Sequence, residues 1–120
     1  MTFIVNCEVY PVDVLVHFGT KESLLRQTRY FNTDELKDLD EGVEPCSTTL
    51  LEPSGKVVLF MDGQPKDIDG LAILQHEIFH CVSFVLEHVG IEHNDSTEEA
   101  YAYLAGYITK KIYQKIEVRF

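Results

Sequence analysis

The residues best equipped for chemistry in this 120-residue chain form one short run, His76-Glu77-Ile78-Phe79-His80. Histidines four apart on a helix project their imidazoles from one face, about one turn apart, and both can then reach a single Zn2+. The glutamate after the first histidine falls beside the metal's open position, where a carboxylate can take a proton from water. The pattern therefore points to a hydrolytic zinc centre with His76 and His80 as metal ligands and Glu77 as the catalytic base. Two imidazoles and a carboxylate in so apolar a segment are costly unless a metal or hydrogen bonds satisfy them. The alternative to a metal is a helix whose histidines are satisfied by hydrogen bonds alone.

Such a site needs a third protein ligand from elsewhere. A continuation HExxHxxGxxH, as in metzincins, is absent, because Ser83 and Leu86 stand at the glycine and third histidine positions. Glu99 instead follows His80 with eighteen residues between, in Glu99-Ala-Tyr-Ala. This HExxH-x18-E arrangement resembles that of aminopeptidase-type gluzincins. It is also similar to thermolysin-like enzymes, in which small residues follow the glutamate at three and seven positions, as Ala102 and Gly106 do here. Small side chains there would let two helices approach closely. Tyr103 occupies the position of the thermolysin-like aspartate. The resemblance spans residues 70 to 110 and extends, in size, to short HExxH proteins of phage and mobile elements. It implies a zincin-like domain, zinc held by His76, His80 and Glu99, and hydrolysis of a peptide or protein substrate.

Glu99 has a competing role. Ser96-Thr-Glu-Glu99 reads as a capping box; if Asp95 is the cap, Glu98 takes the box position and Glu99 is free for zinc. A helical wheel puts Glu98 nearer the stripe of Tyr101, Ala105, Ile108 and Ile112, so Glu98 is the reserve ligand. His88 and His93 are poorer candidates, two turns past His80 and in a loop. Tyr101, Tyr103, Tyr107, His17 and His93 have the chemistry to stabilise an oxyanion, with nothing in the sequence to choose among them.

The elements that must position these groups are legible in part. Phe3 to Tyr10 and Val12 to Phe18 read as strands, the second with Val12, Val14, Val16 and Phe18 on one face and Asp13, Leu15 and His17 on the other. Thr20 caps a short helix reaching Phe31. Cys46–Leu51 and Lys56–Met61 flank Glu-Pro-Ser-Gly as an antiparallel hairpin. The motif helix runs from about Leu71, behind an Asp67 or Asp69 cap, to Val89 and stops at Gly90. Its stripe of Leu74, Ile78, Val82, Val85 and Val89 is broadened by Leu71, Phe79, Phe84 and Leu86 until little polar surface remains. A last helix begins at Asp95 or Ser96 and continues to about Gln114. These elements describe one α+β domain over residues 1–120, a twisted sheet packed against the motif helix and a second, ligand-bearing helix. In zincins generally, the strand beside the motif helix exposes an edge to an extended peptide; here that strand is Lys56 to Met61.

Composition narrows the partners. Twenty acidic residues against ten Lys and Arg give a net charge of -10 and a pI near 4.8, which repels nucleic acid. Six of the acids lie in Asn32–Pro45, read as a solvated segment. No apolar run approaches the ~20 residues of a bilayer span. Three cysteines without a CxxC suggest neither disulfides nor a thiolate metal site and fit a reducing cytoplasm, with all three as small buried hydrophobes. A second functional reading is a non-catalytic module in which zinc, or hydrogen bonding alone, staples the two helices and the acidic surface meets a protein partner. Oligomeric state is not encoded in any of these features.

Overall fold

The computed structural model describes residues 1–27, 47–51 and 57–116. The elements in chain order are β1 (Thr2–Asn6), β2 (Asp13–Phe18), α1 (Lys21–Gln27), β3 (Ser47–Leu51), β4 (Val57–Met61), α2 (Ile68–His88) and α3 (Glu98–Lys115). The expected helix from Thr20 is borne out to Gln27, with Ser23 N–H donating to Thr20 Oγ1 at 3.1 Å. The rest of that reading, the acidic stretch Asn32–Pro45, Cys46 and the Glu52–Gly55 turn lie outside the described residues.

The four strands form one mixed sheet in the order β1-β2-β4-β3. β1 and β2 pair antiparallel, β2 and β4 parallel, and β3 and β4 antiparallel with Ser47 opposite Met61 and Leu51 opposite Val57. The hairpin expected between β3 and β4 is therefore present. The first strand ends earlier than its hydrophobic pattern suggests. Glu8 adopts φ 56, and Tyr10 N–H donates to Cys7 O at 3.2 Å, so the chain turns before Pro11 is reached.

All five residues of β4 are buried, and the strand is hydrogen-bonded on both sides. This overturns the expectation that Lys56–Met61 offers an open edge. A run that is apolar on both faces belongs in the middle of a sheet, covered above and below, and Val57-Val-Leu-Phe-Met obeys that rule. Among the described residues the outer positions belong to β1 and β3.

One face of the sheet builds the main core. Val14, Val16 and Phe18 of β2 join Val57, Leu59 and Met61 of β4 against Leu74, Ile78, Val82 and Val85 of α2 and Leu104, Ile108 and Ile112 of α3. The opposite face buries His17, Val58 and Phe60, with Leu24 of α1 also fully buried. The alternation read from β2 is thus correct, and on its second face His17 is buried while Leu15 is half-buried and Asp13 exposed.

Helix α2 begins one turn before the sequence reading because Asp67 is the cap: its carboxylate accepts from Gly70 N–H at 2.8 Å. It ends as expected at Gly90, whose φ of 83 suits a residue without Cβ. Ile91 N–H reaches Leu86 O at 2.9 Å and Gly90 N–H reaches Glu87 O at 3.0 Å, the paired bonds of a Schellman terminus. The helix is not buried all round, because Phe79 is 54% exposed. No described helix is long and apolar enough to cross a membrane.

Helix α3 starts later than read. Asn94 Oδ1 accepts from Ser96 N–H, Ser96 Oγ and Thr97 N–H, so Asp95 and Ser96 belong to a turn and Thr97 is the N-cap. Neither Asp95 nor Ser96 caps the helix, and no capping box forms around Glu98 or Glu99.

Candidate metal centre

Helix α2 presents His76 and His80 on its exposed face, while Glu77, one residue on, turns inward and is only 4% exposed. The ligand atoms of these three residues all lie within 4.8 Å of one another. The two Nε2 atoms are 3.2 Å apart, and the rings meet edge to face with centroids 4.8 Å apart. Two nitrogens each ~2.0–2.1 Å from a tetrahedral zinc stand roughly 3.3–3.4 Å apart, so the observed separation fits a shared ion with almost no rearrangement. Without one, a neutral pair at this distance can share a single N–H···N hydrogen bond. The donors fit Zn2+ chemically, since imidazole and carboxylate are both among its usual ligands. Beside them, Ala72, Ile73, His76 and Glu77 line a cavity of about 450 Å3. The opening is shared by the buried Glu77 and the exposed His76, with His80 one turn further along the helix.

Glu98 and Glu99 are exposed residues of the first turn of α3 and are not in this group. The helix pairing explains why. α2 and α3 run antiparallel, since Thr109 Oγ1 donates to Gln75 Oε1 at 3.2 Å while Tyr101 lies within reach of the Glu87 charge. Glu99 is ten residues from Thr109, roughly 15 Å along the axis, whereas His80 is only five residues, roughly 7.5 Å, beyond Gln75. Glu99 is therefore level with the end of α2 rather than with its histidines. It points to a groove shared with Cys7, Glu8 and Tyr103. Nor do Ala102 and Gly106 serve helix contact: both are exposed, and a Cβ built on Gly106 meets nothing within 4 Å. The buried face of α3 is instead made by Tyr101, Leu104, Ile108 and Ile112.

The remaining candidates have other engagements. His88 and His93 are exposed, the latter with its ring 4.6 Å from that of Tyr101. Tyr101 is buried and donates to Ile91 O at 2.7 Å; burial, then the Glu87 and Glu92 charges, raise its pKa. Tyr107 donates to Asn6 O at 2.8 Å, and Tyr103 is 78% exposed. Cys7 and Cys81 are both buried, in line with a packing role. Burial, with the Asp13 charge adding to it, pushes the Cys7 thiol up to about 11.

His17 is the one buried polar cluster that the sequence pattern hid. Its Nδ1 lies 2.6 Å from Thr2 Oγ1, and its Nε2 lies 2.8 Å from Ser23 Oγ and 3.2 Å from Thr20 O. Ser23 Oγ already donates to Thr20 O at 2.8 Å, so the bonds close if Nε2 carries the proton and Thr2 donates to Nδ1. A Cβ on Gly19 would lie 2.9 Å from His17 Nε2, so a glycine is needed for this close approach. Desolvation lowers the His17 pKa below its ordinary 6.5, opposed by the Thr20 hydrogen bond and reinforced by the terminal ammonium. A histidine held neutral in the folded state binds fewer protons than in the unfolded chain, so stability rises with pH across the gap between its two pKa values. Its contribution is complete above about pH 6.5 and is lost as pH falls from there toward the folded value. Urea midpoints should therefore drop between pH 7.5 and 5.5, and His17→Gln should flatten that drop; an unchanged slope would show that His17 does not set it.

Protein-family models, curated proteins and solved structures were compared with the chain, and none of them matches it.

Proposed function

We propose that the chain is a zinc-dependent peptide hydrolase built on a minimal zincin-like domain. The observation that supports this reading is the imidazole pair, 3.2 Å apart at Nε2, with the buried carboxylate of Glu77 in the same cluster. His76 and His80 would hold the ion; among the described residues only Glu77 stands with them in the cluster. Bound there, Zn2+ would polarise the scissile carbonyl and bring the pKa of a water toward ~7. Glu77 accepts the proton of the attacking water at its carboxylate and returns it to the leaving amine. Glu77 is only 4% exposed and lines the same opening as His76, which keeps it close to that imidazole.

An extended peptide cannot pair with β4, which has no free edge. Among the described residues β3 has β4 on one side only and packs against α2, so the outer edge of β3 is the place where a substrate backbone adds to this sheet. The same geometry weighs against the zinc-staple module. Among the described residues the cluster draws on α2 alone, so an ion held by His76 and His80 ties no second described element to that helix.

Metal titration combined with peptide cleavage tests the reading. One Zn2+ per chain should bind, and cleavage of a fluorogenic peptide library should stop with a chelator and return with added zinc. Folded protein that takes up no metal would remove the proposal; protein that binds zinc without cleaving any peptide would remove its catalytic part.

A further inference from the structure

A groove of about 500 Å3 runs between the turn after β1 and the face of α3 that carries Glu99, Tyr103 and Tyr107. Its floor is apolar, with the Cys7 thiol and Leu104 both buried. Three aromatic rings line it, those of Tyr10, Tyr103 and Tyr107. Two acidic residues line the same space, Glu8 from the turn and Glu99 from the helix. None of the described residues that line it carries a positive charge.

The walls are held in place. Tyr107 Oη donates to Asn6 O at 2.8 Å and lies 3.3 Å from Glu8 Oε1, which ties α3 to the turn. The Glu8 charge near that hydroxyl adds to desolvation in raising the Tyr107 pKa. On one side of this ring a protein cation is already accepted: Lys111 Nζ lies 5.6 Å from the Tyr107 centroid.

We infer that this groove binds a small organic cation, an alkylammonium or alkylguanidinium with an apolar stem. The volume is that of a small-molecule site, which typically spans ~300–1,000 Å3 with apolar walls and few polar groups. Tyrosine faces attract a cation through the ring quadrupole, the apolar floor takes the stem, and Glu8 and Glu99 supply the opposite charge. An anion would meet two acidic residues, and a neutral apolar ligand would draw on the charge of neither. The net charge of -10 concentrates cations at the surface as well. The inference is independent of the zinc centre, because no residue of the metal cluster lines the groove.

The chain has six tyrosines and no tryptophan, and three of the six line the groove, so a change in tyrosine fluorescence is read beside calorimetric titration. The full chain is titrated with butylguanidinium, with butylurea as the neutral isostere, and with a capped Gly-Arg-Gly peptide. Butylguanidinium is expected to bind at least tenfold more tightly than butylurea, and no more weakly than the peptide. Glu99→Gln and Tyr103→Ala, both at exposed positions where folding is not at stake, should each weaken it fivefold or more. Equal binding of the neutral isostere, or unchanged affinity in both variants, would overturn the assignment. Peptide binding tenfold tighter than butylguanidinium would overturn the small-molecule occupant in favour of a basic peptide.

Discussion

Glu77→Gln should cut peptide hydrolysis by about 10²–10⁴-fold while leaving one zinc per chain, since that is the usual contribution of a positioned general base. Each tenfold loss is about 1.4 kcal/mol of barrier, so the expected penalty is about 3–5 kcal/mol. Glutamine keeps the size and one oxygen of the carboxylate, so Glu77's buried place beside Ala72 and Ile73 stays filled. What it loses is the ability to take up a proton. Turnover of a cleavable peptide, measured beside zinc content, checks this. A variant that retains zinc and full turnover would assign the water's proton to another group.

The second large effect concerns the ligands. His80→Ala or His76→Ala removes one of the two imidazoles that the structure brings within 3.2 Å, and should weaken zinc binding beyond the ~10–100-fold that loss of a supporting hydrogen bond costs a metal site. Glu99→Ala, by contrast, should leave zinc affinity within a few fold of the parent, because its carboxylate sits at the far end of the helix pair. Competition with a chromophoric chelator measures all three. Loss of zinc in Glu99→Ala with retention in His80→Ala would reverse the assignment and restore the gluzincin ligand set.

The contrast between His80 and Glu99 also marks where the sequence stops being informative. The histidine pair was legible because i, i+4 spacing on a helix is a local property, and α2 declares itself through its apolar stripe, the Asp67 cap and Gly90. The strand alternation of Val14, Val16 and Phe18 and the turn-flanked hairpin of β3 and β4 are equally local. Glu99 is expected from its spacing to His80 together with the small residues Ala102 and Gly106, and its position depends in part on where α3 begins. The side chain of Asn94 decides that by gathering the amides of Ser96 and Thr97 into a turn, which delays the helix to Glu98. Asp, Ser and Thr are all good caps, so intrinsic preference could not rank them. Strand order was similarly hidden: the double-sided apolarity of β4 announces burial, but only pairing with β2 shows that the burial is central. His17 shows the same limit at a single residue. It lies on the face of β2 that alternation marks as polar, and only α1 and Thr2 complete its hydrogen bonds.

The bond from the Tyr107 hydroxyl to the Asn6 carbonyl joins residues 101 positions apart. It closes nearly the whole chain into one ring, and the entropy of closing a ring rises only with the logarithm of its length. The thermodynamic cost is thus modest; the kinetic one is larger, because distant segments must meet before the contact rewards them. β1 and the first half of α3 are consequently ordered together, as a clasp between the two ends of the fold. The imidazole pair on α2 needs no such closure. Its spacing is set within one helix, so the metal-binding geometry can exist before the clasp shuts, whereas the tyrosine groove comes into being only with it.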